Sequence, residues 1–139
     1  MMQQRNLVLI LACDLADKLA SAMFVVDREG DLVYFNERAG DILGRSFAEV
    51  GRMPADEWAK SFTPMEADGR ALNPEELPLM EALRDRRPAH RAFRITAADQ
   101  EARDIEVTAI PLFAHQREFV GAAAIFWESG EADPGAGEA

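Results

Sequence analysis

The side chains of this chain best able to ligate, titrate or attack are His90, His115, Cys13 and the paired carboxylates Glu75-Glu76 and Asp14/Asp17. A structural or catalytic metal needs cysteines and histidines at short, repeated spacings. The two histidines and the single cysteine are widely scattered, so no metal site is expected. No Ser/His/Asp constellation for acyl transfer can be argued either, and no catalytic residue is assigned. Glu75-Glu76 reads as a helix start and Asp14/Asp17 as part of a solvated stripe, the usual meaning of acidic pairs. Arg84, Arg86, Arg87, Arg91 and Arg94 could receive an anion, but a basic helix end is the simpler account. Cys13 reads as a small buried hydrophobe rather than a reactive thiol. Gly40 and Gly44 enclose Asp41, which rules out a membrane helix-pairing motif.

With chemistry set aside, binding and interaction remain, and composition narrows them. The 139 residues fit one domain, with 48% hydrophobic and 29% charged residues, the balance of a globular chain. A net charge of −10 repels phosphate backbones and anionic lipid headgroups, so neither nucleic acid nor a membrane surface is an expected partner. One cysteine allows no internal disulfide, which suits a reducing, cytoplasmic setting. Arg5, the run Leu7 to Ala12 and Cys13 have a loose likeness to a lipoprotein signal. With Asp14 and Asp17 following at once, the run is marginal for a signal core and too short for a span of about 20 residues. It reads better as a helix.

Residues 3–21 carry Asp14, Asp17, Lys18 and Ser21 at helical period, with Val8, Leu11, Ala12, Leu15, Leu19 and Met23 opposite. The first two turns are apolar nearly all round, which predicts a second chain over one face. Ala22 to Asp27 and Leu32 to Asn36 flank a turn at Arg28-Glu29-Gly30-Asp31, a hairpin apolar on both faces. Asn36 stands where a helix cap belongs, and Gly44 where a left-handed stop belongs. Residues 45–72 read as short helical pieces with a turn at Ala67-Asp68-Gly69-Arg70. Asn73 and Glu76 form a possible capping box, while Pro78 is the preferred first residue of the next helix, which Pro88 stops. His90 to Thr96, Ile105 to Ile110 and Glu118 to Trp127 read as antiparallel strands, and residues 128–139 as a disordered acidic tail.

These elements resemble a PAS domain of the kind found in bacterial histidine kinases and related regulators. The likeness is carried by Ala22 to Ala39, with Phe24-Val25-Val26-Asp27 and Tyr34-Phe35-Asn36-Glu37-Arg38-Ala39, and by Asp68 to Leu83, with Asp68-Gly69-Arg70 and Glu76-Leu77-Pro78-Leu79. A third stretch joins Ala109-Ile110-Pro111-Leu112-Phe113 to Val120-Gly121-Ala122-Ala123-Ala124. The resemblance implies an α+β fold: a five-stranded antiparallel sheet with helices on one face around a possible ligand pocket. It divides the chain into an N-terminal helix outside the sheet (1–21), the PAS domain (22–127) and the tail (128–139). Kinase-linked members often end with an Asp-x-Thr step that feeds a coiled coil, whereas this chain ends its last strand Phe126-Trp127-Glu128-Ser129-Gly130. Output is therefore expected through surface contacts or the N-terminal helix.

A haem-binding member would be expected to place a histidine on the helix Pro78 to Arg87, which has none, and the Asn-Cys-Arg motif of flavin photosensors is absent. Neither cofactor is expected. The expected pocket residues are Phe35, Leu43, Trp58, Phe62, Met65, Met80, Leu83, Phe93, Ile105 and Val107, which either surround a small apolar ligand or simply pack the core. Ala122 to Ala124 leave room on the sheet, which Ala12, Ala16 and Ala20 of the helix are expected to fill. Homodimer contacts are expected from Leu7, Val8, Ile10, Leu11, Leu15, Ile125 and Trp127. Three functions compete: a dimeric sensor reporting to a histidine kinase or other regulatory protein, a ligand-free dimerisation domain, and a cone-shaped α+β barrel enzyme. The single leading helix and the apolar cavity count against the enzyme.

Overall fold

The computed structural model describes residues 2–61, 63–97 and 99–129. Helix α1 (Met2–Lys18) precedes the hairpin β1 (Ala22–Asp27) and β2 (Leu32–Phe35). Three short helices follow, α2 (Glu37–Leu43), α3 (Phe47–Val50) and α4 (Ala55–Ser61). A 3₁₀ turn at Pro74–Glu76 leads into α5 (Pro78–Asp85), and the chain closes with β3 (Ala89–Thr96), β4 (Ala102–Phe113) and β5 (Phe119–Glu128). The five strands form one antiparallel sheet in the order β2-β1-β5-β4-β3.

Strand periodicity splits the apolar residues into two cores. Ala22, Phe24 and Val26 of β1 stand opposite Phe126, Ala124 and Ala122 of β5 and join Ile105, Val107 and Ala109 of β4 under α2, α4 and α5. The alternate residues Met23, Val25 and Ala123 face the other way and meet Ala12 and Ala16 of α1. That answers the two-faced apolarity of the hairpin: both sides of β1 are covered. Ala12 and Ala16 take the alanine space as expected. Ala20 does not, because α1 ends at Lys18 and leaves Ala20 exposed. Glu128, assigned to the tail, is instead the last residue of β5, and the rest of that segment beyond Ser129 lies outside the described residues.

At each sheet edge one residue pairs with backbone from the helical side. Leu32 exchanges hydrogen bonds with Met53 at the β2 edge, and Arg94 with Met65 at the β3 edge. Each such bridge occupies edge groups that would otherwise be open to another strand. The expected caps form where the sequence placed them. Asn36 accepts from the Ala39 amide, Gly44 ends α2 at φ 85°, and Pro78 is the first residue of α5. The expected extension of α5 to Arg87 stops short at Asp85, since Arg86 adopts a left-handed conformation at φ 58° and lays its guanidinium 4.6 Å over the Phe119 ring.

Asn36 is the only buried polar side chain among the described residues. Its Nδ2 donates to the carbonyls of Ala16 and Ser21 at 2.9 Å each, and its Oδ1 accepts from the amides of Met23 and Ala39 at 3.0 Å each. One amide thus ties the last turn of α1, the start of β1 and the first turn of α2, with its whole side-chain capacity used.

A second tie joins α1 to the sheet: the Tyr34 hydroxyl donates to the Asp17 carboxylate. That bond stabilises the neutral phenol, and together with partial burial and the nearby negative charge it pushes the Tyr34 pKa up to about 12. Tyr34 is the only tyrosine of the chain, so its ionisation can be followed alone. Absorbance at alkaline pH should show a midpoint near 12, and Asp17→Asn should bring it back toward 10. Because the folded value lies above the unfolded one, this contribution is present in full below pH 10 and is lost as pH rises through 12. A wild-type midpoint at 10 would show that the hydroxyl is not so held.

Candidate functional site

Between the sheet and its helical roof lies a cavity of about 90 Å³. Its floor is strand: Phe24 of β1, Phe93 and Ile95 of β3, Ile105 and Val107 of β4, and Ala124 and Phe126 of β5. Its roof is Leu43 from α2, Trp58 and Ala59 from α4, Pro64, and Leu77-Pro78-Leu79 at the start of α5. Ala124 sits on the floor between Phe24 and Ala109 of the flanking strands, and its small side chain leaves space there. All these side chains are hydrocarbon except for the indole nitrogen of Trp58. That Nε1 donates to the Gly30 carbonyl at 2.7 Å, in the β1–β2 turn. A space lined this way offers water no hydrogen-bond partner.

The structure brings together Leu43, Trp58, Phe93, Ile105 and Val107 of the expected pocket residues. Phe35 is buried outside the cavity, stacked 5.9 Å from Phe24 and edge-on to Phe47 at 5.5 Å. Leu83 packs beside Gly30, Met80 rests against the core from α5, and Met65 is spent on the β3 edge. Phe62 lies outside the described residues. The lining residues not foreseen are Phe24, Ala59, Pro64, Leu77, Pro78, Leu79, Ile95, Ala124 and Phe126. Pairing of β1 with β5 and of β5 with β4 puts Phe24, Ala124 and Phe126 on one face with Val107, a choice of side that the two-faced apolarity of β1 and β5 left open in the sequence.

Aromatic rings continue from the cavity to the far side of the sheet. Trp58 meets Phe24 edge-on at 5.4 Å, Phe24 stacks on Phe35, Phe35 meets Phe47, and Phe47 meets Tyr34 at 5.3 Å. Tyr34 in turn holds Asp17 of α1.

On the outer face, Leu7, Ile10, Leu11 and Leu15 of α1 are 54%, 60%, 57% and 52% exposed, which makes them an unburied apolar group. Val8, Ile125 and Trp127, also expected there, are half-buried. His90 sits on the same side of the sheet, with Nδ1 2.8 Å from the Thr108 hydroxyl and Nε2 3.3 Å from Glu106. Cys13 is half-buried on the sheet-facing side of α1, and burial first, then Asp17, raises its thiol pKa. The arginines considered for an anion are largely engaged with carboxylates: Arg84 with Asp85, Arg91 with Glu66, and Arg94 with Asp104, each holding a carboxylate neighbour by hydrogen bonding. Among the described residues no helix is long and apolar enough to cross a membrane.

The sequence of residues 16–133 matches the family model of the PAS fold, and this chain belongs to that family. No curated protein matches its sequence. Solved structures do. It is similar to a PAS domain from Colwellia psychrerythraea at 18% identity and a TM-score of 0.62, covering 87% of this chain and 96% of that one. It is similar to a PAS domain from a two-component sensor histidine kinase at 14% identity and a TM-score of 0.57, covering 91% and 100%. It is also similar to the light-state dimer of the fungal blue-light photoreceptor Vivid at 17% identity and a TM-score of 0.58, covering 78% and 77%. At these identities the likeness is one of fold.

Proposed function

We propose that this chain is a signalling module whose cavity takes a small apolar molecule and whose α1 faces pair two copies. The observation that carries the reading is the cavity: about 90 Å³, bounded wholly by apolar side chains, at the centre of a PAS fold. The module passes its state by protein contact to a regulator such as a histidine kinase, a context in which one similar PAS domain occurs. Nucleic acid and membrane surfaces are not partners, in keeping with the charge of −10, and the setting is cytoplasmic. The lining supplies no acid, base or nucleophile, so the reading assigns no catalysis.

Size decides the ligand class. Sites for cofactor-sized molecules occupy roughly 300–1,000 Å³, several times what is open here. Haem and flavin have no place in this reading, since the lining holds no histidine, no cysteine and no group to meet a polar ring. A dry cavity of roughly 150 Å³ takes benzene or xenon, so this smaller one suits a single xenon atom or molecules of about three or four non-hydrogen atoms.

Xenon and propane are the probes that test it. Saturable shifts of the Ile105, Val107 and Ala124 methyl resonances are expected, with a melting temperature that rises with probe concentration. Ala124→Leu, whose added carbons occupy the cavity, should abolish both responses. Unsaturable or absent shifts in the wild-type chain would overturn the ligand reading. They would favour the alternative of a ligand-free dimerisation domain, for which the small cavity volume itself speaks.

A further inference from the structure

We propose that the β4–β5 end of the sheet docks an acidic peptide segment of a partner protein. Arg86, Arg87 and Arg117 take its carboxylates, and Phe113 takes an apolar side chain between them. The contact uses neither the cavity nor α1, and it rests on the proposed signalling role only for the existence of a protein partner.

Arginines of this chain are mostly matched to acids. Arg52 holds Asp27, Arg70 and Arg91 share Glu66, Arg84 takes Asp85, Arg94 takes Asp104 and Arg103 takes Asp99. With 25 acidic residues to 15 basic ones, an arginine without an ion pair is the exception. Arg86, Arg87 and Arg117 form none among the described residues, and all three are exposed. They also share one place. Arg86 stacks on Phe119, Arg87 follows it in the chain, and Arg117 stands two residues before Phe119. Asp85, the acid next to them on α5, is already forked by Arg84 at 3.1 and 3.3 Å. A guanidinium stacked by its face keeps its in-plane N–H donors for a carboxylate fork.

The backbone here is unusual as well. Of the five described non-glycine residues with positive φ, three lie at this end: Arg86 at 58°, Gln116 at 60° and Arg117 at 63°. Glycine would take these conformations without steric conflict. Residues held this way gather where a ligand or partner is met. Phe113 adds the apolar part, 43% exposed and edge-on to Phe119 at 5.8 Å. Outside α1, Ile110 is the only other large apolar side chain so exposed among the described residues. Arginines beside aromatic rings are the usual composition of interface centres.

Charge selects the occupant. A nucleic acid or a lipid surface would extend past the patch onto a molecule of net charge −10. A short acidic segment need cover only the arginines. Asp27 pairs with Gly121, so the β1–β2 turn adjoins this end and its Glu29 and Asp31 bound the patch on the β1 side. The segment therefore lies toward β4, over Phe113.

Titrating the full chain with a fluorescein-labelled peptide, glutamates on both sides of one phenylalanine, tests the assignment by anisotropy. Saturable binding is expected, at least tenfold weaker in Arg86→Glu. Arg45→Glu makes the same change in net charge in the loop after α2 and should leave the affinity within twofold. Arg86→Lys keeps the charge but loses the fork, and should weaken binding at least threefold. Phe113→Ser should weaken the phenylalanine peptide and not an all-glutamate one. If circular dichroism shows Arg86→Glu poorly folded, Arg86→Gly carries the same test, since glycine takes that φ freely, and the same tenfold loss is expected. Absence of saturable binding overturns the inference. So does equal weakening by Arg45→Glu and Arg86→Glu, which would mean net charge alone. Displacement by inorganic phosphate as readily as by unlabelled peptide would mean a simple anion site, and tighter binding of a thymidine oligonucleotide would mean the wrong partner; either overturns it. No arm involves xenon, propane or α1, so failure here leaves the cavity reading standing, and failure of the xenon titration leaves this surface standing.

Discussion

Asn36→Ala is expected to lower the stability of this chain by about 4 kcal/mol, read as a melting temperature roughly 15 °C lower in circular dichroism. The loss has four parts. The carbonyls of Ala16 and Ser21 lose a donor, and the amides of Met23 and Ala39 lose an acceptor, all at a site where Asn36 is 3% exposed and water does not replace the missing group. Loss of a helix cap alone costs about 1 kcal/mol, and orphaned buried groups cost about 1–3 kcal/mol each before relaxation. Since small domains are stable by only about 5–15 kcal/mol, the variant sits close to unfolding. Asn36→Asp separates the donor half from the acceptor half. It keeps the acceptor but turns a carboxylate oxygen toward two carbonyls, so burial and repulsion raise that carboxyl's pKa in the folded state. The folded protein then holds the proton more tightly than the unfolded one, and the variant's deficit against wild type should narrow as pH falls toward about 4. A melting shift under 3 °C for Asn36→Ala would refute the account of Asn36 as the knot of the fold.

Gly121→Ala should be as severe for a steric reason. A Cβ at this position would stand 2.2 Å from the Val26 carbonyl oxygen and 3.1 Å from Asp27 Cα, and both are backbone of the neighbouring strand β1. The φ of 156° adds conformational strain for any residue with a side chain. Backbone cannot step aside without breaking the β1–β5 ladder, so a cost of about 4 kcal/mol is expected, visible in urea denaturation or as failure to accumulate soluble protein. Gly69→Ala is the matched control. Its φ is +93° but nothing lies within 4 Å of the added carbon, so only the conformational cost of about 1–2 kcal/mol applies. If the two variants cost the same, the close approach of β5 to β1 is not what position 121 is for.

These two residues also mark where sequence reading reached and where it stopped. Local signals carried well: the hairpin, the Asn36 cap, Pro78 at the start of α5 and the alternation of Ile105, Val107 and Ala109 all follow from neighbours within a few positions. The other three bonds of Asn36 do not, because Ala16 and Ser21 reach it only after α1 folds back over β1. Gly121 gives no sign in sequence that its hydrogen is spent on a foreign strand. For the cavity, period revealed which residues face inward and not how deep each lies. Phe35 and Trp58 are both buried aromatics, yet only Trp58 reaches the open space, since Phe35 is sandwiched between Phe24 and Phe47. On β1 and β5, apolar residues on both faces hid the side chosen by Phe24 and Phe126, until pairing placed Ala22 against Phe126.

The bare hydrocarbon lining of the cavity has a consequence for discrimination. With the indole nitrogen of Trp58 already given to Gly30, the walls offer nothing with which to recognise a hydroxyl, a carbonyl or a charge. Each further methylene that fits adds about 0.8 kcal/mol, close to a fourfold gain in affinity, until the first homologue too bulky to enter, where affinity collapses. Along a homologous series of alkanes or alkenes the chain would therefore climb in regular steps to a sharp cut-off, telling molecules apart by bulk rather than by functional group.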